Sequence, residues 1–211
     1  MQKIALFGGS GRTGQQFLNQ ALAQEYTIKA LVRTPEKITQ QSTQLEVIKG
    51  DVLDAAAVAQ VVAGTDVVVS LFGQVKGSPA WVQTEGTQNI ISAMQKHDIK
   101  RIISLSGGGL PYKEKDRPKL PDHLIRFIMR LAVPQILNDA QKHYEALQAS
   151  GLDWTIVRAP RLTDGERRGQ YRIGWVGVNA STQISRADLA DFIIKQLNDK
   201  TFYNQLPFVS Y

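Results

Sequence analysis

The 211-residue chain has no cysteine. That excludes disulfides, thiolate metal sites and a cysteine nucleophile. Its three histidines, His97, His123 and His143, are too scattered to carry metal-ligand spacing, so no metal is expected. No apolar run approaches the roughly 18 residues that a membrane span needs. The first apolar stretch, Ile4–Phe7, is too short for a signal peptide and runs straight into glycines. There is no GxSxG elbow, which argues against a Ser-His-Asp hydrolase. Tyr-x-x-x-Lys is missing as well. The positions four beyond Tyr26, Tyr112, Tyr144, Tyr171 and Tyr203 are Ala30, Asp116, Gln148, Trp175 and Pro207, and Tyr211 is the last residue. The proton relay to an alcohol or carbonyl that such a pair supplies is therefore lacking. These absences lead us to expect a cytoplasmic protein.

Charge is present, but unevenly. Lysine and arginine number 25 against 19 acids, so 25 − 19 gives +6. Residues 110–130 hold six positives and three negatives, and residues 158–172 five and two, so each segment carries +3. No aromatic-interleaved basic motif accompanies them, and nucleic acid is not expected as a partner.

The apolar pattern alternates between strand and helix periods. Strands are expected at Lys3–Phe7, Tyr26–Arg33, Leu45–Lys49, Asp66–Phe72, Arg101–Ser106 and Asp153–Arg158, with Leu206–Val209 as a final edge strand. Helices are expected at Thr13–Gln24, from the N-cap Asp54 to Val62, from Ser78-Pro79 to about His97, and from the capping box at Ser185 to Asn198. This β-α rhythm predicts an α/β protein: a single Rossmann-like doubly wound domain over 1–211 with a mostly parallel central sheet. Residues 107–137 interrupt the rhythm and read as a substrate-side insertion or lid. Within it, Pro121 and Asp122 open a helix that Pro134 stops. His123, Arg126 and Arg130 share one narrow face there, and apolar residues cover the rest. That helix reads as a lid, a dimer contact or a membrane-surface element, in that order, or as ordinary core packing with a solvated basic stripe.

The chemistry starts at Gly8-Gly9-Ser10-Gly11-Arg12-Thr13-Gly14, which follows the first strand and opens the first helix. Gly9, Gly11 and Gly14 make GxGxxG, while Gly8, Gly11 and Gly14 make GxxGxxG; a strand ending at Phe7 favours Gly8 as the turn residue. Such a loop lets backbone and a helix N-terminus approach a pyrophosphate. Gln15 stands where a Walker A loop needs lysine. Roughly 20 residues on, where an acid would hold an NAD ribose, stands Arg33. Arginine there pairs with a 2′-phosphate, with Arg12 and Lys37 to assist, so NADP(H) is the expected cofactor. Glu36 is the residue that would restore NAD binding. Asp51 either receives the adenine amino group or is a turn acid. Leu71, Phe72 and Gly73 end the fourth strand beside the adenosine ribose. Ser104 and Ser106 fall near the nicotinamide; Ser106 either orients substrate and passes a proton or bonds a turn. After strand six come Pro160 and Arg161, and Arg161 is placed to hold a planar or anionic substrate.

The chain resembles the biliverdin-IXβ reductase/flavin reductase group of atypical short-chain dehydrogenases, within the broader NAD(P)H-binding family. The resemblance runs nearly end to end through KIALFGGSGRTG at Lys3–Gly14, Leu31-Val32-Arg33, GDVL at Gly50–Leu53, VAGTD at Val62–Asp66, Glu85-Gly86 with Asn89-Ile90, Ser150-Gly151-Leu152, and Ile184-Ser185 with Asp188-Leu189. It implies NADPH and a flat acceptor such as FMN, riboflavin or a linear tetrapyrrole, with hydride passing to the acceptor and a proton drawn from solvent. Cofactor roles carry over to Gly8, Gly11, Arg12, Thr13, Gly14, Arg33, Asp51, Val52, Leu71, Gly73 and Pro160. Departures lie on the substrate side. Ser106-Gly107 stands where the relatives have a serine after a threonine, Arg161 where they have histidine, and the 107–137 insertion is longer and more basic. Lys142 and Glu145 match a Lys-x-x-Glu pattern of broader members and either place the ribose or form a helix-surface pair. With Arg126 and Arg161 as substrate contacts and Ser106 and Arg161 at the reacting end, the expected protein is an NADPH-dependent reductase, a monomer or weak homodimer. A non-catalytic NADP(H)-binding redox sensor or assembly factor, and a quinone or small-carbonyl reductase, are the competing readings.

Overall fold

The computed structural model describes residues 2–75 and 77–211. Its strands are β1 (Lys3–Phe7), β2 (Thr27–Val32), β3 (Leu45–Lys49), β4 (Val67–Ser70), β5 (Arg101–Gly107), β6 (Asp153–Ala159), β7 (Arg161–Thr163), β8 (Arg172–Gly174), β9 (Gln183–Ser185) and β10 (Phe208–Ser210). Its helices are α1 (Arg12–Leu22), α2 (Ala55–Val62), α3 (Val82–Lys96), α4 (Leu120–Ala132), α5 (Pro134–Ala149) and α6 (Arg186–Lys195). The main sheet has the order β3-β2-β1-β4-β5-β6-β10-β8, parallel except for β8. β7 and β9 pair separately. The chain reverses its direction of travel across the sheet between β1 and β4, which sets a switch point at the carboxyl ends of those strands.

Strand alternation builds the two halves of the core. Ile4, Leu6, Val67, Val69, Ile103 and Val157 face Phe17 and Leu18 of α1 and Leu189, Phe192 and Ile193 of α6. Ala5, Phe7, Val68, Ile102 and Ile156 face the other way, toward Val58 and Val61 of α2, Ile90 and Met94 of α3 and Leu147 of α5. Central parallel strands covered on both faces need this continuous apolar run. The expected doubly wound α/β domain is what the chain forms.

Beyond shifts of a few residues at element ends, three features depart from the sequence reading. α3 begins at Val82, not at Ser78-Pro79. The Ser78 hydroxyl accepts a bond from the Val75 N–H and closes a local turn. The first α3 donors are capped from elsewhere: the buried Asp139 of α5 accepts from Gln83 N at 3.0 Å and Thr84 N at 2.8 Å. A distant carboxylate thus fixes the helix start. β10 is not an edge, because the three-residue β8 pairs antiparallel outside it. Pro134 stops α4 and also opens α5, a long helix to which the sequence reading gave no bounds. Proline suits both tasks, having no N–H to donate and a φ already set for a first helical turn.

A buried ion pair ties the insertion to the sheet. The Arg158 side chain, at the end of β6, is 0% exposed, and the Asp116 side chain is 3% exposed. Arg158 donates to both Asp116 oxygens at 2.9 Å, and also to the Leu206 and Leu110 carbonyls. Asp116 further accepts from Tyr112 N, Val176 N and Arg126. Burial alone would raise the Asp116 carboxyl, but these donors, Arg158 first, hold it below the usual carboxylate range. A carboxylate depressed in this way contributes stability at neutral pH that is lost as pH falls through its folded pKa.

His143 of α5 is the second buried titratable group. Its ring nitrogens lie 2.8 Å from Thr87 Oγ1 and 3.1 Å from Ser104 Oγ, linking α3, α5 and β5. Burial pushes its pKa down from 6.5 to about 4, against a smaller upward pull from Asp139. The folded state therefore resists the proton that the unfolded chain takes up, and stability falls as pH drops from 6.5 toward that value.

Asp116→Ala leaves Arg158 buried without its partner and should cost about 3–5 kcal/mol in denaturant unfolding. A loss below about 1 kcal/mol would show that the network is not needed to hold the fold. Imidazole NMR at about pH 5 should find the His143 ring still neutral. A midpoint at the ordinary histidine value would mean that solvent reaches it.

Candidate functional site

Three adjoining cavities line the carboxyl ends of the strands. The first lies over the switch point. Its walls are Phe7, Gly8 and Ser10 of the loop after β1, Arg33 after β2, Asp51 and Val52 after β3, and Phe72 and Gly73 after β4. Gly8 has φ +83°, and a Cβ there would stand 2.6 Å from the Phe72 nitrogen. A Cβ on Gly14 would stand 2.2 Å from the Gly8 carbonyl oxygen. The loop closes this tightly only because both residues are glycine. α1 then starts with Gly11 as N-cap, with no side-chain cap and no acid in its first turn. Its free N–H groups and positive dipole end face the loop, an arrangement suited to a phosphate.

The neighbouring loop is held in place by Gln15, whose Nε2 donates to the Lys37 carbonyl at 2.7 Å. Arg33 is exposed and lines the cavity, whereas Glu36 sits in a short 3-10 turn, Pro35–Lys37, away from the lining residues. Asp51 Oδ1 accepts from Leu53 N at 2.9 Å, so one of its oxygens closes a turn. Arg12 pairs with Asp164 at 3.2 Å on the surface, and Thr13 is buried in the first turn of α1. The Glu85-Gly86…Asn89 signature has a visible task. Gly86 lets α3 press against Val52 and Phe72, and Asn89 Nδ2 donates to the Val52 carbonyl at 3.0 Å.

Phe72 and Gly73 also border the second cavity, with Leu71, Gln83, Ser106, Met129, Leu137, Pro160 and Leu162. None of its described lining residues is titratable. Ser104 and Ser106 are two apart on β5 and share a face. Ser104, expected beside the cofactor, is instead sealed below the surface with its hydroxyl on His143. Ser106 is one pair closer to the strand end, and its buried hydroxyl has no hydrogen-bond partner among the described residues. A buried hydroxyl left open in this way is costly unless a ligand or water completes it. Gln83 was not anticipated; it bonds the Leu105 carbonyl at 3.1 Å, and a glutamine in a first helical turn gives no sequence signal.

The third cavity, about 430 Å³, continues past Met129 between Gly107–Gly109, Pro160, Arg161 and the inner side of α4. That falls within the roughly 300–1,000 Å³ of small-molecule clefts. Arg161 is exposed on β7 and donates to Gln183 at 2.8 Å. Arg126 also lines this cavity, but its guanidinium is bound to Asp116 at 3.0 Å, so it is not a free cation. A further opening beside it carries Lys119 and Arg172, both exposed and without an ion pair among the described residues. Lys142 and Glu145 stay outside these cavities; Lys142 lies 4.5 Å over the Trp81 ring and Glu145 accepts from Gln141. The basic excess is therefore only partly at the cleft. Arg158 and Arg126 serve Asp116, Arg167 serves Asp191, and Arg168 stacks on Tyr211.

The residues present fit a dinucleotide. A glycine-closed loop, an uncapped helix start and an orphaned buried hydroxyl lie along one cleft. No helix of the described residues is long and apolar enough to cross a membrane, and no metal-ligand cluster occurs among them.

Known proteins agree with this geometry. YwnB of Bacillus subtilis, itself uncharacterised, is 23% identical over 96% of this chain and 95% of its own. A wide-type short-chain dehydrogenase/reductase from Veillonella parvula, solved in complex with NADP, superposes with a TM-score of 0.80 at 20% identity, covering 100% of this chain and 94% of that one. The anaerobillin reductase ChuY of Escherichia coli O157:H7 superposes at 0.78 and 21%, covering 100% and 97%. At those identities the structural likeness establishes the fold. The cofactor rests on sequence: a family model described as NAD(P)H-binding matches residues 8–200. The chain belongs to the NAD(P)H-binding family, as its glycine loop and GDVL and EG-xx-NI signatures led us to expect.

Proposed function

We propose that the protein is an NADPH-dependent reductase of a flat, conjugated, anionic acceptor, a flavin or a linear tetrapyrrole. The observation that carries this reading is the second cavity. It is mostly apolar, adjoins the glycine-loop cavity, has no titratable lining residue among the described residues, and has one open hydroxyl. Bound NADPH supplies the hydride. The chain supplies position: Pro160 and Met129 wall the cleft, and Ser106 Oγ is free to bond the cofactor or the acceptor. With no acid or base among the described lining residues, reduction of an alcohol-forming carbonyl finds no proton donor there. A conjugated acceptor that takes its proton from solvent needs none.

In this reading Arg33 holds the 2′-phosphate and sets NADPH over NADH, with Gly8, Ser10, Gly11 and Gly14 around the pyrophosphate. Arg161 and Arg172 border the outer cavities and favour a negatively charged acceptor. The ChuY likeness adds a fold on which an anaerobillin reductase is built.

The deciding experiment follows oxidation of NADPH with FMN, riboflavin, biliverdin and a quinone as acceptors. Acceleration by FMN or biliverdin is expected. Tight NADPH binding with no acceleration by any acceptor would make the protein a cofactor-binding sensor instead. Arg33→Glu should weaken NADPH binding roughly 10–100-fold and NADH binding much less, since a charge-assisted bond is lost and repulsion added. Equal losses would remove Arg33 from cofactor choice. Arg161→Ala combined with Arg172→Ala should raise the KM for FMN severalfold more than that for riboflavin, which lacks the phosphate. If both acceptors suffer alike, these cations serve something other than the acceptor's charge.

A further inference from the structure

α4 is turned inside out for a helix on a globular protein. Leu120, Leu124, Phe127, Ile128 and Leu131 are 54–86% exposed, and no residue of the helix is buried. At 3.6 residues per turn these five share one arc, while Asp122, Arg126 and Met129 lie opposite. The polar side is the one that meets the protein: Arg126 bonds Asp116, and Met129 walls both substrate-side cavities. Helices packed on a core place their apolar stripe inward, so this outward stripe lacks its partner.

The charges around the stripe identify that partner. Arg130 borders the apolar arc and Lys119 stands at the helix start; both are exposed and carry no ion pair among the described residues. Asp122 is the one acid in the helix, and it accepts from Lys119 N at 2.8 Å as a cap. An apolar arc edged by cations, with the helix's one acid on the opposite, cavity side, complements an anionic surface that has an apolar interior. A second copy would set the same cations against themselves with no carboxylate to pair. Thirteen residues are too few to span a bilayer but suffice to lie along it.

We propose that α4 is a membrane-surface element that seats the protein on an anionic lipid bilayer. Phe127, Leu131 and Leu124 enter the boundary between headgroups and acyl chains, and Arg130 and Lys119 lie against acidic headgroups. This is independent of which acceptor the cleft reduces.

The test is sedimentation of the full chain with vesicles of phosphatidylcholine, with and without phosphatidylserine. The parent should bind the anionic vesicles and be released by high salt. Phe127→Asp with Leu131→Asp should abolish binding. Since both side chains are exposed, the melting temperature and NADPH affinity of the double variant should match the parent's. Arg130→Glu should lower partitioning by about an order of magnitude. A parent that ignores anionic vesicles, or a double variant that binds as well as the parent, overturns the proposal. Equal binding to both lipid mixtures overturns its electrostatic half. A lipid-free dimer in light scattering that the double variant dissolves would assign the face to a second copy.

Discussion

The bidentate pair between Arg158 and Asp116 is the constraint that the substrate side of this fold depends on. Two buried charges cost several kcal/mol each in lost hydration, and their attraction offsets this only when every remaining donor and acceptor is used. Here they are. Arg158 spends its other bonds on the Leu110 and Leu206 carbonyls, and Asp116 takes N–H groups from Tyr112 and Val176. Five separated stretches of chain thus meet at the end of β6. A hydrophobic substitute of equal volume could fill the space, but it could not dictate that residues 110–117 cross this strand end and no other. We read the pair as specifying position more than adding net stability.

That network also explains why charge counted along the sequence misleads. The two +3 segments suggest a basic rim around the cleft, yet two of their arginines are consumed internally by one aspartate. Asp116 lies inside the first segment, and its sequence neighbours Lys115 and Arg117 hide its actual partners, 42 residues downstream and 10 away. Lys115 and Arg117 bond elsewhere, to Gln205 and to local carbonyls. What remains along the cleft is a smaller set: Arg33 at one end, and Arg161 and Arg172 at the other.

Features fixed by neighbouring residues were legible in the sequence. β1 and β3 match their expected bounds, and Asp54 caps α2 through Ala56 and Ala57 as its position implied. The glycine loop was legible because its chemistry is local backbone geometry. What failed to show was set by tertiary contact. The start of α3 depends on Asp139, 55 residues further on. β10 lies inside the sheet only because β8 pairs beyond it, and three residues, Arg-Ile-Gly, carry no strand signal. Ser104 and Ser106 look equivalent on one strand face, and only the position of His143 makes one a structural bond and leaves the other open. α4 was the reverse case. Its periodicity was plain, but periodicity does not say which side faces the protein, and Arg126, expected as a substrate contact, pairs with Asp116 on the inner side.

The two sides of α4 are coupled through that arginine. Met129 on the inner side lines both the second and the third cavity, so its position sets the width of the cleft between them. Arg126, three residues earlier and about one turn away, anchors the same side to Asp116. Moving the helix outward would leave a half-buried guanidinium without its carboxylate and Asp116 with one donor fewer, at a cost that a loosely packed helix cannot recover from its own contacts. The outer side has no such anchor. A surface that buries Leu124, Phe127 and Leu131 therefore acts on a helix whose inner position is already pinned, and stabilises it where it stands. Burial outside and ion pairing inside favour the same placement, and in that placement Met129 holds the wall of the cleft.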